Sequence, residues 1–250
     1  EADDRRRAAS QSAFAQGDLA FNRLDYTAAA NHLKRAAGLL PKTDAVGRGE
    51  ALNRVGVVFL SMAKYPEAEV AFSEARSLLE EALAPNDPKL TPVLNNLAQL
   101  YKATNRLREA EPLMVRALEI DEASLGPDHP NVAIRLNNLA QLYQDTDRLP
   151  EAEPLLVRAR KIDEASLVPD HPNVAIDLNN LATLYQATER LSEAEPLMVR
   201  ALKIDEASLG PDHPNVARDL NNLATLYMDT NRPREAEPLL VRALGIVEAS

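Results

Sequence analysis

His129, His171 and His213 recur at intervals of 42 residues, and three histidines in step are the first place to look for a metal site. Equivalent atoms on stacked helical layers stand roughly 10 Å apart, whereas zinc ligands must meet one ion at about 2 Å. The histidines therefore read as turn residues. Glu151 and Glu153 belong to an EAE pattern repeated along the chain. Residues two apart on a helix face different ways, so these glutamates read as a solvated flank and not as an acid–base dyad. Ser166 and Ser208 have no histidine placed to activate them. Gly47-Arg48-Gly49 lacks the further glycine and the Lys-Ser/Thr of a phosphate loop, and no HExxH, GxSxG or Walker motif occurs. The expectation is a protein that is not an enzyme and uses no cofactor and no metal.

The asparagine pairs offer different chemistry. Asn95-Asn96, Asn137-Asn138, Asn179-Asn180 and Asn221-Asn222 fall in mid-helix positions that asparagine does not favour intrinsically. The adjoining leucines and alanines face the core, so the pairs point to the inner, concave side. A carboxamide is both donor and acceptor and can bond the backbone of an extended peptide whatever its sequence. The competing expectation is an asparagine ladder that joins adjacent helices for stability alone. One turn further along, the same face carries Gln99, Gln141, Thr183 and Thr225, then Lys102, Gln144, Gln186 and Met228. These positions vary between copies that are otherwise nearly identical, which fits either selectivity or freedom from packing. Arg54, Lys102, Arg135 and Arg218 lie on or near these faces and favour an acidic segment over a basic one, while Asp145 and Asp229 weigh the other way.

The elements that position these residues follow from periodicity. Residues 131–172 recur as 173–214 with eight of 42 positions changed, and the frame runs from Asp87-Pro88 to Ser250. Leu136, Leu139, Ala140 and Tyr143 lie at spacings of three and four, one apolar face of a helix. After the polar turn Asp145-Thr146-Asp147-Arg148, a second face contains Leu149, Ala152, Leu155, Leu156, Ala159 and Ile162. Two such helices cannot bury both stripes alone, so the units must stack. Ala140, Ala152 and Ala159 mark close helix crossings. Within EIDEASLG, the segment extends helix B by about two turns, roughly 12 Å. Gly126 and Gly210 stop it, and Val168 requires another ending. Pro130, Pro172 and Pro214 suit a first helical turn, with either Asp or His before them as the cap. Pro112, Pro154, Pro196 and Pro238 each delete one backbone bond in helix B.

The spacing of Leu136, Leu139, Ala140, Tyr143, Ala152, Leu156 and Ala159 resembles the tetratricopeptide repeat. The longer unit, with LNNLA, RLxEAEPL, RALxIDEASLG and PDHP, is similar to the repeats of kinesin light chain, and related arrays occur in many bacterial proteins. The resemblance covers roughly residues 10–250. It implies an all-α, right-handed superhelical solenoid with helix A inside and helix B outside. One array is expected, with repeats near 10–42, 44–86, 87–128, 129–170, 171–212 and 213–250 after a charged lead-in at 1–9. Family register places Tyr101, Tyr143, Tyr185 and Tyr227 between paired helices as packing. It also implies that the second asparagine of each pair, Asn96, Asn138, Asn180 and Asn222, contacts bound peptide. Arg54 and Ala15 depart from that pattern in the first two repeats.

The implied function is a scaffold or adaptor that holds an extended segment of a protein partner. The alternatives are a spacer or self-assembly module, or the regulatory region of a longer protein. A net charge of −10 argues against sequence-independent nucleic-acid binding. No apolar run reaches the length of a membrane helix. A cysteine-free chain fits any compartment; the cytoplasm is favoured, with the periplasm or exterior after signal-peptide removal as the alternative. Leu239, Leu240, Ala243 and Ile246 contribute to a face that a seventh repeat would cover, so either a longer chain or end-to-end self-association is expected beyond Ser250.

Overall fold

A computed structural model describes residues 2–249. Glu1, in the charged lead-in, and Ser250, the last residue of the repeat frame, lie outside the described residues. Twelve α-helices account for the regular structure together with one 3-10 turn, and no strand occurs among the described residues. The chain divides into two compact units, Glu1–Gly126 and Pro127–Ser250. The first contains α1 (Ala2–Asn22), α2 (Tyr26–Leu39), α3 (Ala45–Ser61), α4 (Tyr65–Ala82), a 3-10 turn at Pro88–Leu90, α5 (Thr91–Ala103) and α6 (Leu107–Leu125). The second contains α7 (Pro130–Asp145), α8 (Leu149–Ser166), α9 (Pro172–Ala187), α10 (Leu191–Leu209), α11 (Pro214–Asp229) and α12 (Pro233–Ala249).

Within each unit successive helices pack as hairpins: α1 on α2, α3 on α4, α5 on α6, and likewise α7 to α12. The second helix of one hairpin also packs on the first helix of the next, as α8 does on α9. The amphipathic stripes explain both contacts. Ala140, Ala152, Leu156, Leu181 and Leu184 form one buried cluster drawn from α7, α8 and α9. Ala182, Ala194, Met198, Leu223 and Leu226 repeat it one hairpin later. Ala140 and Ala152 have no exposed surface, as expected where two helices cross closely. The last hairpin shows what stacking contributes. Leu240 is 43% exposed, although Leu156 and Met198, its equivalents, are 1% exposed beneath the following hairpin. Ala243 and Ile246, expected on the uncovered face, are instead buried inside the α11–α12 hairpin, and Val241, Leu244 and Val247 are exposed with Leu240.

Helix ends follow from local chemistry. The first helices α5, α7, α9 and α11 close with a residue in the left-handed region: Asn105, Asp147, Glu189 and Asn231 have φ between 57° and 60°. The next residue, an arginine, donates its backbone N–H to the tyrosine carbonyl five residues back, for example Arg148 to Tyr143 at 2.7 Å. This six-residue closure satisfies a carbonyl that the helix leaves open. Gly126 and Gly210 end α6 and α10 with φ of 93° and 94°. Where Val168 replaces glycine, α8 stops one residue sooner and Leu167 turns out in an extended conformation at φ −115°. Histidine, not aspartate, supplies the cap after PDHP: Nδ1 of His129, His171 and His213 accepts from the N–H of Asn131, Asn173 and Asn215 at 3.1–3.2 Å. In the first unit Asp87 does the same work, accepting from Lys89 N–H at 2.9 Å. The described part of the charged lead-in, residues 2–9, forms the start of α1, where Asp3 and Asp4 sit favourably in the first turn.

Ala152 tests the close crossing. Ala152→Leu is expected to overpack the α7–α8–α9 cluster and cost about 1–3 kcal/mol, read as a lower denaturant midpoint in chemical unfolding. A midpoint equal to the parent's would place the crossing elsewhere.

Candidate functional site

Three kinds of polar chemistry decorate the helix stack. The first follows from the helix-closing turn. Because the turn brings Arg148 back beside Tyr143, its guanidinium lies 4.0 Å from the ring centre, and Arg106, Arg190 and Arg232 repeat this at 4.0–4.1 Å over Tyr101, Tyr185 and Tyr227. Each guanidinium also grips a glutamate in the first turn of the following helix. Arg148 donates Nε and Nη2 to Glu151 at 2.8 and 2.6 Å. The remaining donor reaches back to the preceding hairpin: Arg106 to Glu69, Arg190 to Glu153 and Arg232 to Glu195, all at 2.7–2.8 Å. The EAE glutamates are therefore not a merely solvated flank. One carboxylate holds its own turn and the other ties two hairpins together, because an arginine five residues after the tyrosine can reach both. The tyrosines are half-buried packing with arginine-covered faces.

The second kind is the asparagine row. Asn180 donates Nδ2 to Asn137 Oδ1 at 3.1 Å, and Asn96 donates to Asn53 at 3.0 Å. A second asparagine thus rests on the first-asparagine position of the preceding hairpin. Among the other residues singled out from sequence, Asn138, Gln141 and Asn180 line one open pocket between α7 and α9, of about 380 Å³. Gln141 also donates to Asp145 at 2.9 Å, and Gln186 bonds Asp229. Thr183 and Thr225 turn their hydroxyls back onto their own helix, to Asn179 and Asn221 carbonyls at 2.9 Å. Gln144 and Asn222 are half-buried on α7 and α11. In the first unit Gln99 is exposed and Lys102 half-buried on α5. Two of the arginines are already engaged. Arg54 donates Nε to Asp18 at 3.1 Å, and Arg218 lies 3.3 Å from Asp219 and 3.7 Å from Asp205. Their charge is therefore largely answered within the chain.

The third kind is absent from the sequence reading. Asp163 and Asp177, from α8 and α9, are 2% and 1% exposed and lie within hydrogen-bonding reach of one another at the floor of the same pocket. Asp177 Oδ1 accepts from Asn137 Nδ2 at 2.5 Å, but Asp177 Oδ2 and Asp163 Oδ1 are buried without a donor. Burial pushes the Asp177 carboxyl up to about 7, against the bond from Asn137 and with the help of the Asp163 charge. Burial likewise raises Asp163, opposed chiefly by His171. The pair must share a proton, since two carboxylates in contact cannot both ionise cheaply. Asp205 and Asp219 form the equivalent pair one hairpin later, both at 0% exposure.

Together, stacked helix hairpins with close alanine crossings define an α-helical repeat protein. The chain belongs to the tetratricopeptide repeat family, whose sequence profile matches residues 47–123, 106–165, 136–207 and 174–249. Solved structures agree on the fold. BtubC (BKLC) from P. vanneervenii is 24% identical, with 98% of this chain and 91% of that one covered and a TM-score of 0.71. The nearly identical TPR-like repeats of a kinesin light chain candidate from Podosopora anserina are 24% identical over 80% and 94%, TM-score 0.68. A signal transduction ATPase with a tetratricopeptide repeat sensor, from Pyrococcus horikoshii, is 15% identical over 96% and 36%, TM-score 0.80. No curated protein matches the sequence.

The acid pair carries a pH signature. A carboxyl whose folded value lies near 7, against an ordinary 3.8, makes the folded state hold its proton longer than the unfolded chain. Stability from this group is greatest below about 3.8, falls as pH rises toward 7, and is level above. Asp177→Asn removes that slope. The variant-minus-parent stability measured in urea should therefore grow between pH 4 and 7, by up to roughly 4 kcal/mol. A difference independent of pH would contradict the buried pair.

Proposed function

We propose that this protein is a non-catalytic interaction scaffold that holds an extended segment of a protein partner along the first helices of its hairpins. Proteins of the tetratricopeptide repeat family are in general interaction scaffolds, and protein partners follow from that membership. What carries the more specific reading is the open pocket between α7 and α9, where Asn138, Gln141 and Asn180 stand together on one face. Equivalent positions on stacked helices stand roughly 10 Å apart, so carboxamides repeated there would catch amides roughly three residues apart on a strand rising about 3.3 Å per residue. Each neutral bond nets only about 0.5–1.5 kcal/mol, so affinity needs several rungs, and side-chain pockets between them must choose the sequence. The acidic net charge of −10 favours a protein partner over nucleic acid. Among the described residues no helix is long and apolar enough to cross a membrane. The exposed strip Leu240, Val241, Leu244 and Val247 additionally supports association through the last hairpin, which sedimentation of a Leu240→Lys, Leu244→Lys variant would detect as dissociation.

A second reading has its own support. The bonds from Asn180 to Asn137 and from Asn96 to Asn53 are what a purely structural ladder requires. Replacing Asn138 and Asn180 together by alanine separates the two. The groove reading expects affinity for extended peptides selected on the parent protein to fall about tenfold or more while stability drops by no more than about 1–2 kcal/mol. Unchanged peptide affinity in a folded double variant, with stability lost, would establish the ladder instead.

A further inference from the structure

One aspartate position, repeated at Asp121, Asp163 and Asp205, meets a different answer each time. Asp121 accepts a hydrogen bond from the Thr91 hydroxyl at 3.0 Å. Asp205, paired with Asp219, has the Arg218 guanidinium laid against both carboxyls at 3.7 and 3.3 Å. Asp163, paired with Asp177, has neither: Ala133 and Ala175 stand where Thr91 does, and Ile176 stands where Arg218 does. Asp163 Oδ1 and Asp177 Oδ2 are buried without a donor, as are both oxygens of Asp205 and Oδ2 of Asp219; what sets the Asp163 pair apart is that no guanidinium stands beside it. The pocket above this pair is open and has room for a side chain, with Ile134 and Ile176 as walls, 44% and 37% exposed, and Asn138 and Asn180 beside them. A long basic side chain suits such a site, because its methylene stem packs on apolar walls while its charged tip reaches the floor.

We propose that the pocket floored by Asp163 and Asp177 binds one cationic side chain, arginine or lysine, presented by the partner. One hairpin later, Arg218 sets a guanidinium 3.7 and 3.3 Å from the equivalent carboxyls, a charge that the Ile176 copy does not supply for itself. The proposal rests on the groove reading only for how the side chain arrives. It also replaces a general preference for acidic segments with a basic residue at one defined place. An arriving cation takes the place of the proton that Asp163 and Asp177 share, so binding releases a proton and strengthens as pH rises. Glu164 on α8 adds to the negative field at Asp177, and His171, before α9, opposes it at Asp163.

The experiment is an NMR titration of the intact chain with acetyl-arginine-methylamide, using acetyl-norleucine-methylamide as the uncharged control. The arginine probe should shift signals of residues 134–141 and 173–180, and should bind about tenfold or more tightly at pH 8 than at pH 5.5. The norleucine control should leave those signals in place. Ile176→Arg, which sets a guanidinium beside the acids as Arg218 does at Asp205 and Asp219, and Asp177→Asn, which removes a charge, should each weaken the probe about tenfold or more in folded protein. Equal shifts from both probes, or full binding to Ile176→Arg, would overturn the site. Extended peptides are scored separately on the Asn138, Asn180 double variant. Probe binding with peptides indifferent to the asparagines would sink the groove and leave the pocket, and the converse result would sink the pocket alone.

Discussion

Close contact between helices at Ala140, Ala152 and their repeats is the constraint from which the rest of each unit follows. An alanine with no exposed surface lets two helix backbones approach until the neighbouring leucines interlock. That geometry makes the hairpin, but the hairpin still has an apolar back. Leu156 and Met198 become buried only when the next hairpin is laid on them, whereas Leu240 remains largely open. Stability is therefore shared between hairpin and interface. Any polar side chain that the repeat period carries into the stripe must find its partner within the same narrow layer.

That layer is organised by the arginine that closes α5, α7, α9 and α11. Its backbone completes the turn, its guanidinium covers the tyrosine face, and its donors are divided between the glutamate of its own hairpin and the glutamate of the one before. A single residue thus couples local closure to stacking. Its groups are partly exposed, so each ion pair alone contributes little. The value lies in fixing the relative position of hairpins, which is what a row of side chains needs if it is to present groups at a regular spacing. The Asn180–Asn137 bond adds a further tie between hairpins.

Much of this was legible in the residues. Helix count, the long second helices, the glycine stops and the altered ending at Val168 all follow from periodicity and local stereochemistry, which act within a few residues. The choice between His and Asp as cap was not legible, since both can accept from the same N–H and only the turn decides. The arginine clip was missed because its glutamate partner lies 37 residues away, beyond any pattern read within one hairpin. Even so, a fixed offset between two repeated residues of opposite charge was available as a signal. The asparagines stood out in the sequence, but their bonds to the neighbouring hairpin depend on the exact stacking distance.

The acid pairs are the most informative omission. Asp177 falls at the spacing of Val174, Leu178 and Leu181, inside the apolar stripe, and Asp163 continues the stripe of Leu156, Ala159 and Ile162. An acid in core register is costly unless something answers its charge, so its place in the pattern was itself the clue. The preceding copy has Arg135 where Asp177 stands, in a unit otherwise nearly the same, so the scaffold does not require an acid there. Asp219 meets the same cost with Arg218 beside it. Asp177 meets it with a shared proton and the Asn137 amide alone. A local rule broken without a compensating structural gain is where function is expected in a molecule whose other levels agree. In this repeat, isoleucine at one neighbouring position, where the next copy has arginine, leaves the acid pair at the floor of an open pocket with no guanidinium beside it.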